Sequence, residues 1–102
     1  MSAGPYSIGS DHWPGISKLM EESGEVGQVV GKLLATNGLP HHWDGTNLTA
    51  RLEDELGDLR AAIEFLLRHN PQLNRAAVTQ RHRQKLRMFE QWHAQQRPKA
   101  VP

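Results

Sequence analysis

Hydrophobic residues recur every three or four positions in two stretches of the chain, residues 19–34 and 52–67. This spacing places them on one side of an α-helix, so we predict two amphipathic helices. The two stretches also share one pattern when they are aligned. The matched pairs are Leu19 with Leu52, Glu22 with Glu55, Gly24 with Gly57, Glu25 with Asp58, Val26 with Leu59, and Val30 with Ile63. The repetition indicates two helices built to one plan.

The helical spacing also predicts which side chains are buried. In the first helix the apolar stripe is Leu19, Val26, Val30 and Leu33, flanked by Met20, Val29 and Leu34. In the second helix the stripe is Leu52, Leu56, Leu59, Ile63 and Leu66. We expect each helix to turn its stripe toward a neighbouring helix, because an amphipathic helix gains most of its stability from that burial.

Breaker and capping residues predict where these two helices begin and end. The first helix begins either with Pro14 in its first turn or with Ser17 as its N-cap, and it ends near residues 37–38, an Asn-Gly pair. The second helix is expected to begin with Thr49 as N-cap and to stop at residues 70–71, an Asn-Pro pair. The intervening segment 39–47 has the composition of a loop.

A third helix is predicted after the second. Pro71 would open it, with Asn70 as its cap, and it would run to about Trp92 or Gln96. Its apolar positions are sparse, and basic residues occupy most of the remainder. The apolar positions of this third helix are Leu73, Ala77, Val78, Leu86, Phe89 and Trp92. The fold class that we predict is therefore all-α.

Four carboxylates occupy unusual positions on the first two helices. Glu22 and Glu55 fall inside the apolar stripes, and Glu25 and Asp58 lie at their edges. A carboxylate beside a core loses hydration, which is costly unless another group compensates. Neither stripe contains Lys or Arg, so a divalent cation is the candidate for that role. Oxygen-only ligands favour a hard ion, Mg²⁺ or alternatively Mn²⁺.

The alternative is that these acids are simply solvated. One Glu-x-x-Glu pair would carry little weight, but two pairs at the same helical position favour the metal site. A di-iron centre is disfavoured because Glu-x-x-His pairs are absent. The acids that point away from the stripes are expected to be solvated or to be first-turn charges. They are Glu21, Glu53, Asp54 and Glu64.

Small and aromatic residues give further expectations. Gly24, Gly27 and Gly31 lie on one flank of the first helix, where each costs about 1 kcal/mol relative to Ala, so we expect close helix packing there or a bound ligand. Trp13 is expected to pack over the start of the first helix, and Trp43 against the helix ends. Stacking on a nucleobase is the alternative for both. The adjacent residues 41–42, two His, are weak evidence for a metal site.

The composition suits one small soluble domain of 102 residues with 37% hydrophobic content. We expect a flexible leader over residues 1–10, the helical domain over 11–96 and a polar tail over 97–102. The absence of cysteine agrees with a cytoplasmic protein. No apolar run is long enough to span a bilayer, and residues 1–13 lack the apolar centre of a signal peptide.

Charge divides the chain. Residues 1–74 carry five Lys and Arg against ten Asp and Glu, whereas residues 75–102 carry seven against one. This asymmetry fits a protein that handles an anion with metal ions and basic side chains together. The basic third helix is either a solvated face, a phosphate clamp using Arg81 and Lys85, or a nucleic-acid contact. The last would need base-stacking aromatics or a recognition-helix motif, and neither is evident.

The acidic motifs resemble those of a known family. Residues 18–25, Lys-Leu-Met-Glu-Glu-Ser-Gly-Glu, and residues 55–59, Glu-Leu-Gly-Asp-Leu, are similar to the motifs of MazG-like proteins, in the all-α nucleoside triphosphate pyrophosphohydrolase superfamily. The resemblance covers about residues 16–67, and the last helix departs from the family pattern. It implies a helical bundle completed by oligomerisation into dimers or tetramers.

The resemblance also implies an activity. A nucleoside triphosphate would be hydrolysed between its α and β phosphates, with Mg²⁺ held by Glu22, Glu25, Glu55 and Asp58. Glu21 and Glu22 are the candidate catalytic residues, Glu21 as the group that orients water. The candidate substrate contacts are Trp13, Lys18, Trp43, Arg81 and Lys85. The alternatives are a non-catalytic MazG-like oligomer with a regulatory or assembly role and, less favoured, a nucleic-acid-binding protein.

Overall fold

Three α-helices follow one another in the computed structural model, which describes residues 4–10 and 12–98. They are α1 (Ile16–Ala35), α2 (Leu48–His69) and α3 (Arg75–Gln96). The described residues contain no strand, and an isolated antiparallel bridge joins His41 and Asn47. The prediction of an all-α fold is confirmed.

The chain divides into two compact units, Met1–Pro71 and Gln72–Pro102. The predicted domain over residues 11–96 spans both units, and it stays a prediction. Residues 1–3 of the predicted leader, Asp11, and residues 99–102 of the predicted tail lie outside the described residues. Residues 4–10 form turns, with the amide of Ser7 donating to the carbonyl of Gly4 (3.2 Å) and that of Ser10 to Ser7 (3.0 Å).

In the first unit α1 and α2 pack against each other in antiparallel orientation. Near one end of the pair, the Asn70 side-chain amide donates to the carbonyl of Pro14 over 2.9 Å. Further along α1, Arg51 of α2 lies 3.3 Å from Glu25. Residue numbers therefore rise along α1 while they fall along α2. This arrangement places Glu22 of α1 beside Glu55 and Asp58 of α2.

The buried side chains only partly match the predicted stripes. The core of the described residues consists of Val29, Leu48, Ala62 and Leu66, together with the polar Asn70. Val30, predicted to lie in the buried stripe, is 41% exposed, whereas Val29 beside it is 1% exposed. Val29 is therefore the residue that α1 turns toward α2. Leu56 and Ile63 are also exposed in this chain. Helical spacing gives the relative positions of side chains, but contact with the partner helix sets which one points inward.

The start of α1 differs from both predicted alternatives. Gly15 is the N-cap, with φ +87° and no side-chain capping bond, so neither Pro14 nor Ser17 has the predicted role. The reason is tertiary, because a Cβ atom on Gly15 would lie 2.6 Å from the Phe65 ring. Glycine alone accepts both the left-handed backbone and this close approach.

The end of α1 follows the predicted Asn-Gly stop. The helix ends at Ala35, and Asn37 and Gly38 then adopt positive φ angles of 56° and 82°. The Gly38 amide donates to the carbonyl of Leu33 over 2.7 Å, which satisfies a carbonyl at the end of the helix. The segment that follows is a loop, as predicted, and the Leu48 amide donates to the carbonyl of Pro40 over 2.6 Å.

The N-caps of α2 and α3 are both asparagines, at positions other than those predicted. The Asn47 side chain accepts from the Ala50 amide over 3.0 Å, so the prediction of Thr49 is wrong. The Asn74 side chain accepts from the Ala77 amide over 3.1 Å, so α3 begins later than predicted. Asparagine is a stronger N-cap residue than threonine, which agrees with Asn47 at the start of α2. For α3 the predicted and the observed cap are both asparagines, so the residue type does not decide between them.

The Asn-Pro pair does end α2, as predicted, with Asn70 as the C-cap. The Asn70 side chain does not cap α3, because it is buried and donates to the carbonyls of Leu66 (2.7 Å) and Pro14 (2.9 Å). Pro71 and Leu73 precede α3, which ends at Gln96 as predicted. None of the side chains of α3 is buried.

The glycines of α1 do not support close packing within the chain. A Cβ atom at Gly24, Gly27 or Gly31 would meet no atom within 4 Å, so the expectation of a neighbouring backbone is wrong for this single chain. Among the described residues, no helix is both long enough and apolar enough to cross a membrane.

Candidate metal centre

Three of the four predicted metal ligands converge between α1 and α2. Glu22 of α1 and Glu55 and Asp58 of α2 each place one carboxylate oxygen within 4.8 Å of the others. Glu22 and Glu55 are half-buried and Asp58 is exposed. We call these three residues the acidic cluster. It exists because the antiparallel packing of two helices brings together residues that are distant in sequence.

Glu25, the fourth predicted ligand, is engaged elsewhere. Its carboxylate lies 3.3 Å from the Arg51 guanidinium, which also lies 3.6 Å from Glu55. Arg51 therefore supplies positive charge to the edge of the acidic cluster. The apolar stripes contain no cation, but Arg51 lies one helical turn before Glu55, and ion pairs at that spacing are common on helices. The four-residue spacing between Arg51 and Glu55 could therefore have predicted from the sequence that Arg51 lies beside the acidic cluster.

Within the acidic cluster, Glu22 is the residue whose pKa is raised. Burial raises the pKa of Glu22 above its ordinary value of 4.5, and the charge of Asp58 raises it further. Glu21 and Glu55 act in the same direction, and Lys18 opposes them. A carboxyl group with a raised pKa binds protons more tightly in the folded state, so its ionisation lowers stability as pH rises through that pKa. A bound cation would reverse this penalty.

The geometry suits a hard divalent ion. Mg²⁺ binds oxygen at about 2.0–2.1 Å in octahedral geometry, so two ligand oxygens on one ion lie at most about 4.2 Å apart. Oxygens within 4.8 Å of one another need only small side-chain rotations to reach that separation. The donor set contains carboxylate oxygens alone, which favours Mg²⁺ or Mn²⁺ over softer metals. The three residues fit the predicted cofactor.

Glu21 and Lys18 form a pair at the edge of the centre. Lys18 Nζ lies 3.0 Å from Glu21 Oε2, and both side chains are largely exposed. The hydrogen bond to Glu21, followed by its charge, raises the pKa of Lys18 above 10.5. Of the acids expected to be solvated, Glu53 and Asp54 are exposed, and Glu64 lies 3.5 Å from Arg68.

A cleft of about 320 Å³ opens beside the acidic cluster. Its lining combines polar and apolar side chains: Ile8, Lys18, Glu22, Asp58, Ala61, Ala62 and Phe65. Ile8 and Phe65 were not predicted to line a site. Phe65 lies two helical turns after Asp58, on the same side of α2, and that spacing was a usable signal. For Ile8, which lies in the predicted leader, the sequence offers no signal.

The two tryptophans predicted to meet a substrate are not part of the cleft lining. Trp13 is 42% exposed, with a positive φ of 49°, and its carbonyl accepts from the Ile16 amide. Trp43 is 89% exposed, and its ring centroid lies 5.1 Å from that of His42. Trp43 therefore does not pack against the helix ends as expected.

The loop that carries Trp43 is held by Asp44. This carboxylate accepts from the Thr46 amide over 3.0 Å and lies 3.0 Å from His42 Nδ1. Hydrogen bonds from Thr46, and then the contact with His42, hold the pKa of Asp44 well below 3.8. His42 thus has a carboxylate partner in the loop, which leaves the weak prediction of a His41–His42 metal site without support.

Arg81 and Lys85 lie on α3, in the second unit. Lys85 Nζ lies 5.8 Å from the ring centroid of Phe89 and 5.9 Å from that of Trp92. Arg81 donates to the side chain of Gln84 over 3.4 Å. Their role as a phosphate clamp stays a prediction.

No protein-family model, curated protein or solved structure matches this chain. The resemblance to MazG-like proteins therefore rests on the motif residues themselves.

Proposed function

We propose that this protein is a Mg²⁺-dependent nucleoside triphosphate pyrophosphohydrolase of the MazG-like type, which releases a nucleoside monophosphate and pyrophosphate. The observation that carries the proposal is the meeting of Glu22, Glu55 and Asp58 within 4.8 Å. These carboxylates come from two helices with the same sequence pattern, at the positions that the motif resemblance names. Cleaning of the nucleotide pool in the cytoplasm is the expected purpose.

The acidic cluster would hold the ion, and Glu25 would join it. An ion held there would supply charge that neutralises phosphate oxygens and would make an attacking water more acidic. Glu25 now contacts Arg51, so its participation requires that this ion pair open or shift. An exposed ion pair of this kind contributes only about 0–1 kcal/mol, which a bound divalent ion can offset. Arg51 would then be available for a phosphate oxygen.

The remaining residues of the centre have roles that their positions permit. Glu21 would orient the attacking water, and Lys18, 3.0 Å from Glu21, would contact a phosphate. The cleft beside the acidic cluster would take the base, with Phe65 and Ile8 supplying apolar contact. Trp13 and Trp43 stay candidates for base stacking, and Arg81 and Lys85 stay candidates for the phosphate clamp.

We propose that two or more copies assemble. Large apolar side chains of α1 and α2 are exposed in the single chain: Met20, Val30, Leu34, Leu56 and Ile63. A second copy packing on these helices would bury them. A dimer or a tetramer would satisfy this requirement.

A non-catalytic helical oligomer is the second candidate. The observation that favours it is Arg51, whose guanidinium places positive charge beside Glu25 and Glu55. In such a protein the acidic cluster would be a structural ion-pair network, and neither Mg²⁺ binding nor pyrophosphate release would be found.

A panel of ribonucleoside and deoxyribonucleoside triphosphates with Mg²⁺, assayed for pyrophosphate release, tests the proposal. Glu55→Gln should lose activity, whereas Glu53→Gln, the same charge change on an exposed residue of α2, should retain it. Thermal unfolding with and without Mg²⁺ supplies an independent measure of metal binding. Absence of activity in the native protein, or equal activity in the two variants, would defeat the enzyme proposal.

A further inference from the structure

Two arginines of α3, Arg83 and Arg87, have no role in the proposed metal centre. Within the described residues, no ion pair involves Arg81, Arg83, Lys85 or Arg87, and α3 contains one acidic residue, Glu90. None of the side chains of the helix is buried. Unpaired like charges on one helix repel each other, so their concentration favours an anionic partner.

The helix has two different sides. One side, which we call the aromatic face, consists of Val78, Lys85, Phe89 and Trp92. The opposite side, the arginine face, consists of Ala76, Gln80, Arg83, Gln84, Arg87 and Gln91. At about 100° per residue, Arg83 and Arg87 point roughly opposite to Val78 and Phe89. Side chains between Ala76 and Arg87 line one open surface along part of the arginine face.

We infer that the arginine face binds duplex DNA in the major groove. The chemistry of the face matches that ligand, because Arg donates two hydrogen bonds to guanine edges or to phosphates and Gln pairs with adenine edges. Arg83 and Arg87 lie one turn apart, about 6 Å along the axis. An α-helix with its side chains is about 10–12 Å wide, and the major groove is about 12 Å wide.

The length of the face sets the size of the site. Ala76 to Gln91 extends for about 22 Å at about 1.5 Å per residue. This length corresponds to roughly six base pairs at about 3.4 Å per base pair. One helix of this length contacts few phosphates, so the expected affinity is low and strongly dependent on salt.

An anionic membrane is a poorer match for the same side chains. A helix that lies on a membrane inserts its apolar side, and its cations at the flanks reach the headgroups. If the aromatic face of α3 were inserted, Arg83 and Arg87 would point away from the lipid. The position of these two arginines therefore favours a ligand that contacts the arginine face itself.

Single strands and RNA duplexes fit less well than duplex DNA. Single-stranded nucleic acid is held by stacking on aromatic side chains, but Phe89 and Trp92 lie on the other side of the helix. The major groove of an RNA duplex is too deep and narrow to admit a helix. The ligand class that remains is double-stranded DNA.

The test uses the full-length protein and a labelled DNA duplex of about 20 base pairs, with binding followed by fluorescence anisotropy between about 50 and 200 mM salt. The test variant is Arg83→Gln with Arg87→Gln. The matched control, Arg81→Gln with Lys85→Gln, removes the same charge from other positions of the helix. Far-UV circular dichroism checks that both variants keep their helices. Mg²⁺ and nucleotides are omitted, so the result is independent of the proposed hydrolysis.

Native protein should bind the duplex, and the test variant should bind about tenfold or more weakly, with a salt slope smaller by about two. The control should bind within about threefold of native protein. Arg83→Lys with Arg87→Lys should keep the salt slope, since lysine keeps the phosphate contacts. Equal losses in the test and control variants, no binding of duplex DNA by native protein, or tighter binding to single strands, RNA duplexes or vesicles of anionic lipid would each overturn the inference.

Discussion

Asn70 holds the two helices that carry the acidic cluster, and its replacement by alanine tests the packing directly. Its side-chain amide donates to Leu66 at the end of α2 (2.7 Å) and to Pro14 before α1 (2.9 Å). Asn70 is 1% exposed, so water cannot easily replace these bonds. We expect Asn70→Ala to destabilise the protein and to shift α1 along its axis relative to α2.

The magnitude follows from the two carbonyls that lose their donor. The bond to Leu66 is buried, and an unsatisfied buried group costs about 1–3 kcal/mol. The bond to Pro14 is only partly buried, and its net loss costs about 0.5–1.5 kcal/mol. The total is about 3 kcal/mol, which for a chain of this size lowers Tm by about 12–24 °C.

Thermal and urea unfolding measure this loss, and Asn47→Ala is the matched control. Asn47 caps α2 through a single local bond to Ala50, so its replacement should cost only about 1 kcal/mol. Mg²⁺-dependent stabilisation should weaken in Asn70→Ala and stay near native in Asn47→Ala. If Asn70→Ala destabilised the protein no more than Asn47→Ala does, the Asn70 side chain would not be the link that holds the two helices together.

The remaining predictions concern Glu22 and two glycines. Glu22→Gln should abolish the rise in Tm caused by Mg²⁺ and, without metal near neutral pH, should slightly raise Tm, because it removes an ionised carboxylate whose pKa is raised. In native protein the Mg²⁺-dependent rise should shrink as pH falls toward the raised pKa, because protons then compete with the ion; a rise that persists unchanged to about pH 4 would contradict this. Gly15→Ala should destabilise by about 2 kcal/mol, since φ is +87° and the new Cβ would lie 2.6 Å from Phe65. Gly24→Ala, with no atom within 4 Å, should instead stabilise α1 by about 0.5–1 kcal/mol, and urea titrations that show the same sign for both glycines would refute this contrast.

Local patterns were sufficient for much of the fold. The spacing of leucines and valines predicted α1 and α2, and the Asn-Gly and Asn-Pro pairs predicted where both helices end. These signals are readable because backbone geometry and capping depend on residues close in sequence. The acidic cluster of Glu22, Glu55 and Asp58 was predictable in the same way, because one repeated pattern places acids at the same helical position on α1 and α2.

Local patterns failed where a distant residue decides the outcome. Ser17 looked like a cap, but the Phe65 ring requires glycine at position 15. Asn70 looked like the start of α3, but its amide serves the carbonyl of Pro14. In both cases the competing partner is more than forty positions away in the chain. No rule based on neighbouring residues could have identified it.

The order of residues along the chain is enough to predict that this protein is helical, that its acids share one position on two helices, and that its charge divides between acidic and basic parts. Packing between the helices sets three further features: Val29 is buried and Val30 is not, Arg51 pairs with both Glu25 and Glu55, and Ile8 and Phe65 line the cleft. Periodicity gives the relative positions of side chains around a helix axis, whereas the rotation of each helix about that axis depends on how closely the two surfaces can pack.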